Sequence, residues 1–196
     1  MKLQLAIDKR SSVRSFERKK VPRNVIKKLV ANGVKAPSAC NSQPWIFYCI
    51  DNKVKRDKIS KLLHGIYFEL QDQLVSKSSK VKNVALEFYD DMGDAQSVVF
   101  AFRKRIKGEA EYVKPNDIAS ISCAIENIML SAVEKKLGTC FVGSFGGEEN
   151  EKKLKKILGN KKDEELISAF VIGYPMKGHI PLKRDKKKIS EVLKFK

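Results

Sequence analysis

The segment Ala36-Pro37-Ser38-Ala39-Cys40-Asn41-Ser42-Gln43-Pro44-Trp45 constrains this chain more than any other. Two prolines fix its path, and Ser38, Asn41 and Gln43 crowd hydroxyl and amide groups between them. Upstream, Val25, Ile26, Leu29, Val30 and Val34 repeat at helical spacing from Pro22, a residue tolerated at the first helical position, and Pro37 stops the pattern. Downstream, Trp45-Ile46-Phe47-Tyr48-Cys49-Ile50 is a continuous apolar run that reads as a buried strand. A rigid polar loop between these elements can read the edge of a heteroaromatic ring or a polyol chain. The competing reading is a plain structural turn.

The same periodicities order the rest of the chain. Residues 2–9 read as a short helix, and 54–77 as a mostly helical stretch with Ile59, Leu62, Leu63, Ile66 and Leu70 on its apolar side. Residues 97–102 read as a second strand and 107–115 as a polar loop. Asn116 or Asp117 can cap a long helix reaching about Lys136, with Ile118, Ile121, Ala124, Ile125, Ile128, Met129, Ala132 and Val133 on its buried face. Small residues there (Ala119, Ser120, Ser122, Ala124) permit close approach of another helix, and ordinary core packing explains them as well. Thr139–Val142 reads as a strand, Glu148–Leu158 as a helix, Leu166–Ile172 as a strand and Ile189–Leu193 as a last turn in a basic tail, about 176–196. The pattern is α+β, and residues 1–196 read as a single domain.

Composition removes several classes. No apolar run approaches the roughly 20 residues of a membrane helix, and charges interrupt the apolar N-terminus, against a signal peptide; a cytoplasmic protein is expected. Cys40, Cys49, Cys123 and Cys140 form no C-x-x-C pair, and His64 and His179 lie far apart, so no metal site is expected. Cys49 and Cys123, among apolar neighbours, read as buried core residues. The net charge of +17 raises nucleic acid as a partner. The lysines are spread along the chain beside glutamates and do not alternate with aromatics, which favours a solvated lysine-rich surface that attracts anionic ligands.

Familiar catalytic motifs are absent. There is no G-x-G-x-x-G and no G-x-S-x-G, and the glycine pair Gly138 and Gly143 is followed by Ser144 and Phe145 where a P-loop needs lysine and a hydroxyl. Three further segments carry ligand chemistry instead. Arg10-Ser11-Ser12-Val13-Arg14 offers guanidinium forks and hydroxyls suited to phosphate oxygens, or alternatively a solvated loop with capping serines. Gly138–Gly147 can lie against a flat ligand, although a strand followed by a glycine turn explains it too. Pro181–Lys188 can return positive charge to the same phosphate, or remain a solvated tail.

In this order the four segments resemble the nitroreductase superfamily of FMN enzymes, which includes nitroreductases, flavin reductases and NADH oxidases. Arg10-Ser11-Ser12-Val13-Arg14-Ser15-Phe16 is similar to its R-R-S-x-R-x-F signature, with Ser11 at the second arginine. Ala36–Trp45 is similar to A-P-S-x-x-N-x-Q-P-W, the most specific match. Leu137–Phe145 resembles G-L-G-x-x-W-x-G, with Phe141 in place of tryptophan, and Gly173-Tyr174-Pro175 with the basic tail resembles its ending. Residues 52–115 carry little motif.

The resemblance implies a mostly antiparallel central sheet flanked by helices, a long central helix at a homodimer interface, and a C-terminal tail reaching the partner. It implies that Arg10, Ser11, Ser12 and Arg14 hold the FMN phosphate and ribityl chain, with Arg184 and Lys186 adding to the phosphate site. Pro37, Ser38, Ala39, Asn41 and Gln43 would contact the flavin from the other subunit, and Val142, Gly143 and Ser144 would lie beside the ring near N5. NADH or NADPH would reduce N5, and a nitroaromatic, quinone or similar acceptor would then be reduced in the same cleft, a ping-pong cycle needing no acid–base side chain. Cys40 and Cys140 would contribute packing. Flavin reduction, reductive dehalogenation and dehydrogenation of a bound substrate are the alternative reactions on this fold, and a non-catalytic anion- or nucleic-acid-binding protein is the alternative class. No membrane or nucleic-acid partner is expected.

Overall fold

The structure, a computed structural model, describes residues 2–70, 79–143, 145, 147–181 and 186–196. Its elements run α1 (Leu3–Lys9), α2 (Arg23–Gly33), β1 (Trp45–Ile50), α3 (Lys53–Leu70), α4 (Ser79–Asp91), β2 (Ser97–Lys104), α5 (Val113–Glu134), β3 (Gly138–Val142), α6 (Glu148–Leu158), β4 (Glu164–Gly173) and α7 (Ile189–Val192). Three-residue 3-10 turns occupy Ala39–Asn41 and Met92–Asp94. The strands form one sheet in the order β1-β2-β4-β3, and every neighbouring pair is antiparallel. An α+β arrangement with an antiparallel central sheet flanked by helices is the one expected.

Strand alternation builds two cores. Val98, Phe100, Phe102, Ala169 and Val171 face α3, α4 and α6, where Ile59, Leu63, Phe88, Leu154 and Leu158 meet them. The intervening Val99, Ala101, Phe170 and Ile172 face α2 and α5 and pack on Ile26, Leu29, Ile121, Ile125 and Ile128. Both faces of the sheet are therefore covered, and β2 is buried along almost its whole length. Helices α2 and α5 approach closely because Gly33 has no side chain: a Cβ there would lie 2.5 Å from Ile128 Cγ1.

Several elements differ from expectation. β1 is an edge strand, mostly half-buried, and Cys49 is exposed at its far end. Cys123 is exposed as well, on the face of α5 opposite the core. Apolar neighbours in sequence do not decide which way one residue of a half-covered element points. Helix α5 begins at Val113, so its first turn takes the end of the expected loop; Pro115 fits there because first-turn N–H groups need no intrahelical partner. Neither Asn116 nor Asp117 caps it: Tyr112 stands at the N-cap without a side-chain bond, and Asp117 is buried against Arg103. Ile118, expected in the buried face, is 37% exposed, and Val133 is half-buried. Helix α4 and the turn after it had no counterpart in the sequence reading. The expected helix over 54–77 is α3 as far as Leu70, and 71–77 lies outside the described residues. No helix among the described residues is long and apolar enough to cross a membrane.

Candidate active site

The Arg10–Arg14 segment leaves α1 and runs onto the free edge of the sheet. Ser12 forms a parallel bridge with Thr139, and Val13 N donates to Thr139 O at 2.9 Å. Val13 fits because residue 138 is glycine: a Cβ there would lie 2.7 Å from Val13 Cγ2. β3 therefore carries the arginine segment at one end and Val142–Gly143 at the other, about 10–13 Å apart at strand rise. Val142 is buried and Gly143 exposed. Among the described residues β3 pairs only with β4 and, at Thr139, with Ser12, so its outer edge beyond Thr139 is open.

Side chains of the segment diverge. Arg10 reaches α5, its Nε 3.5 Å from Glu126 Oε1. Arg14 folds back, Nη1 donating to Ser12 O at 3.4 Å. The chain just beyond it is clamped by the turn after α4, where Phe16 N donates to Gly93 O at 2.8 Å. Met92, Gly93 and Asp94 in that turn all have left-handed φ, of 56°, 61° and 65°. Ser11 lines a cavity of about 390 Å³ with Lys9, Lys136, Thr139 and His179. Those residues add positive charge and hydroxyls beside the segment. The His179 Nε2 atom is buried with no partner among the described residues.

The second motif is a tight loop held at three points. Gln43 N donates to Ser38 Oγ at 3.1 Å, Gln43 Nε2 to Asn41 Oδ1 at 3.3 Å, and Ala39 N to Ser120 Oγ on α5 at 3.3 Å. Cys40, Asn41 and Gln43 hold left-handed φ of 50°, 54° and 46° without being glycine. Such backbone costs roughly 1–3 kcal/mol per residue and concentrates at ligand clamps. Pro37, Ala39, Asn41 and Gln43 are exposed and Ser38 half-buried. Cys40, expected to pack, is exposed, because its left-handed turn directs it away from the core, while Cys140 is buried.

Within one chain these motifs stand apart. Among the described residues no hydrogen bond or ion pair joins 10–14 to 37–43. Both attach to α5, at Glu126 and Ser120, about 9 Å apart along the helix axis. The α5 face between them exposes Ala119, Ser122, Cys123 and Glu126. Lys186 is exposed in the tail, and Ser144 and Arg184 lie outside the described residues.

Sequence reasoning missed the aromatic pair that α3 and α4 bury against the sheet. Tyr67 and Tyr89 pack with ring centroids 5.1 Å apart. Burial pushes the Tyr89 phenol up to about 12, with Cys140 and Tyr67 adding to the shift and Arg14 opposing it. Tyr89 is thus a neutral hydroxyl within the core beside Tyr67 and Phe88. Its only sequence signal was an aromatic pair, Phe88-Tyr89, in a stretch without a motif. An anionic, flat, hydroxylated ligand fits this donor set: guanidiniums and serines for phosphate, amides for a ring edge, and a bare strand edge for a planar group.

The nitroreductase family profile matches residues 7–174. A putative NADH dehydrogenase/NAD(P)H nitroreductase of Archaeoglobus fulgidus is 27% identical over 85% of this chain and 81% of its own. Iodotyrosine deiodinase of Hydra vulgaris is 25% identical over 96% of this chain and 71% of its own. A Bacteroides fragilis nitroreductase with bound FMN superposes with a TM-score of 0.74 at 20% identity, covering 100% of both chains. With the expected motifs arrayed along β3 and α5, the chain belongs to the nitroreductase family.

Proposed function

We propose that two copies of this chain bind two FMN and transfer electrons from NADH or NADPH to a nitroaromatic, quinone or similar acceptor. The observation that carries the reading is the Ser12–Thr139 bridge, which joins a phosphate-suited arginine segment to an open strand edge ending at Val142–Gly143. Arg10, Ser11, Ser12 and Arg14, with Arg184 and Lys186 of the tail, hold the phosphate and ribityl chain. Val142, Gly143 and Ser144 lie against the ring, and the strained loop with Pro37, Ser38, Ala39, Asn41 and Gln43 meets it from the second subunit. Bound FMN supplies hydride chemistry that no side chain here provides. The protein's part is to orient the ring and hold positive charge where the reduced ring is anionic.

A second copy is supported by apolar side chains exposed among the described residues. Leu3, Leu5 and Ile7 of α1 are 67%, 41% and 48% exposed, and Ile189 and Phe195 of the tail 71% and 91%. Leu3 and Ile7, one turn apart on α1, make an exposed apolar pair of the kind found at interfaces.

The deciding experiment is the visible spectrum of the purified protein before and after NADH or NADPH without oxygen. A flavin spectrum that bleaches supports the reading. Protein that takes up no FMN overturns it. The Hydra relative favours a second reaction on the same site, reductive dehalogenation of a halogenated phenol. Iodide release from 3-iodotyrosine by the reduced protein tests it.

A further inference from the structure

A second concave site lies away from the candidate flavin residues. A groove of about 600 Å³ follows one face of α6 and the turn after it, and includes Arg105 at the exit of β2. None of its lining residues belongs to 10–14, 37–43 or 142–144. Gly159, with a φ of 80°, ends α6 in a left-handed cap and folds Asn160–Lys162 back beside the helix.

The lining is strongly unbalanced in charge. It holds Arg105, Lys152, Lys155, Lys156, Lys161 and Lys162 against Glu148 and Glu151. Glu151 is already engaged, accepting from Lys155 Nζ at 2.8 Å and from Leu166 N at 3.1 Å. Arg105 lies 3.7 Å from Glu165, a carboxylate that Lys114 and Arg103 approach more closely at 2.6 and 2.9 Å. Lys152, Lys156, Lys161 and Lys162 have no carboxylate within 4.0 Å among the described residues; the neighbouring Glu149 is taken by Lys153.

Cations at the end of α6 also offset the partial negative charge of its C-terminus. That accounts for Lys155 and Lys156, and leaves Arg105, Lys161 and Lys162, which are off the helix, unexplained. Like charges lining a concavity repel, and low-dielectric walls focus their field outward. An anion seated there relieves the repulsion.

We infer that this groove binds a multiply phosphorylated small anion of nucleotide size, independently of the flavin reading. The volume falls in the range of small-molecule sites, about 300–1,000 Å³. Lysines are point charges suited to phosphate, whereas planar carboxylates favour an arginine fork. Lys152 and Lys156 are one helical turn apart, about 6 Å, so they engage successive charged groups of one ligand.

The test is calorimetric titration of the whole protein with ADP and with inorganic tripolyphosphate, at low and at physiological salt. Both probes should bind with one ligand per chain and weaken as salt rises. The double variant Lys156→Glu/Lys161→Glu should weaken binding at least about tenfold. Lys27→Glu/Lys28→Glu on α2, with the same change in net charge, should alter it less than about twofold. Circular dichroism identical to the parent shows that each variant is folded. Equal weakening by both variants, or no binding of either probe, overturns the proposal. Tighter binding of an oligouridylate than of ADP through the same lysines overturns it in favour of nucleic acid.

Discussion

Arg103 and Asp117 meet inside the protein, with Arg103 Nη1 donating to Asp117 Oδ2 at 2.8 Å and the arginine side chain 1% exposed. The same guanidinium donates through Nε to Glu165 at 2.9 Å and through Nη2 to Glu109. One buried cation thus ties the end of β2 to its cross-strand partner Glu165, to the loop before α5 and to the first turns of α5. Its other cross-strand neighbour is Trp45, the last residue of the strained motif, and Asp117 lies one turn before Ser120, which holds Ala39. The network therefore sets where the second motif stands.

Replacing Arg103 with Met should destabilise the fold by about 3–5 kcal/mol, because it leaves carboxylates buried without their cation. Urea denaturation measures it. A loss below about 1 kcal/mol would mean that water already reaches the cluster.

The same cluster makes stability depend on acid. Arg103 holds the Glu109 carboxyl below the ordinary value. Burial pushes the Glu165 carboxyl up, but Lys114 and Arg103 outweigh it and leave it lowered as well. Carboxyls lowered on folding contribute stability above their unfolded value of about 4.3, and that contribution disappears as pH falls through the lower folded values. Thermal midpoints should therefore fall below about pH 4.3 in the parent, with a shallower fall in Arg103→Met.

Ser120→Ala removes the hydroxyl that accepts from Ala39 N. The expected loss is about 1 kcal/mol in FMN affinity, roughly fivefold in Kd. Quenching of flavin fluorescence on titration reads it. Unchanged affinity would show that the Ser38–Gln43 bond alone holds the loop.

Gly93→Ala should destabilise by about 2–3 kcal/mol. Its added Cβ would lie 2.0 Å from the Arg14 carbonyl oxygen, at a φ of +61°. Chemical denaturation gives the magnitude, and release of FMN should accompany it because the clash displaces Arg14.

Leu3→Glu/Ile7→Glu places charge on one exposed face of α1, its two positions one helical turn apart. If two copies pair through α1 as proposed, sedimentation should show this variant monomeric, with FMN lost in step. A variant monomer that keeps its flavin would refute a shared site.

Much of the chain was legible because helix and strand periodicity is local. α2 and α3 carry their own apolar spacing, and α6 matches the expected Glu148–Leu158. α4 was not legible, since its apolar residues are interrupted by lysines and acids. The start of α5 was misread because Asp117 has the chemistry of a cap. Its partner, Arg103, lies in another element, so nothing local indicated an ion pair. Cys49 and Cys123 were misplaced because exposure depends on where the covering helix ends.

What the sequence determined by itself is the order of elements and the donor chemistry of each motif, because side-chain identity and short-range periodicity need no distant contact. The tertiary structure decided the rest. Ser12 joins Thr139, Gly93 holds Phe16, Ser120 anchors Ala39, and Arg103 gathers three carboxylates only when faces far apart in the chain pack together. The faces of α1 and the tail left bare are likewise a remainder of that packing, since an apolar side chain is exposed or covered according to what the rest of the fold brings against it.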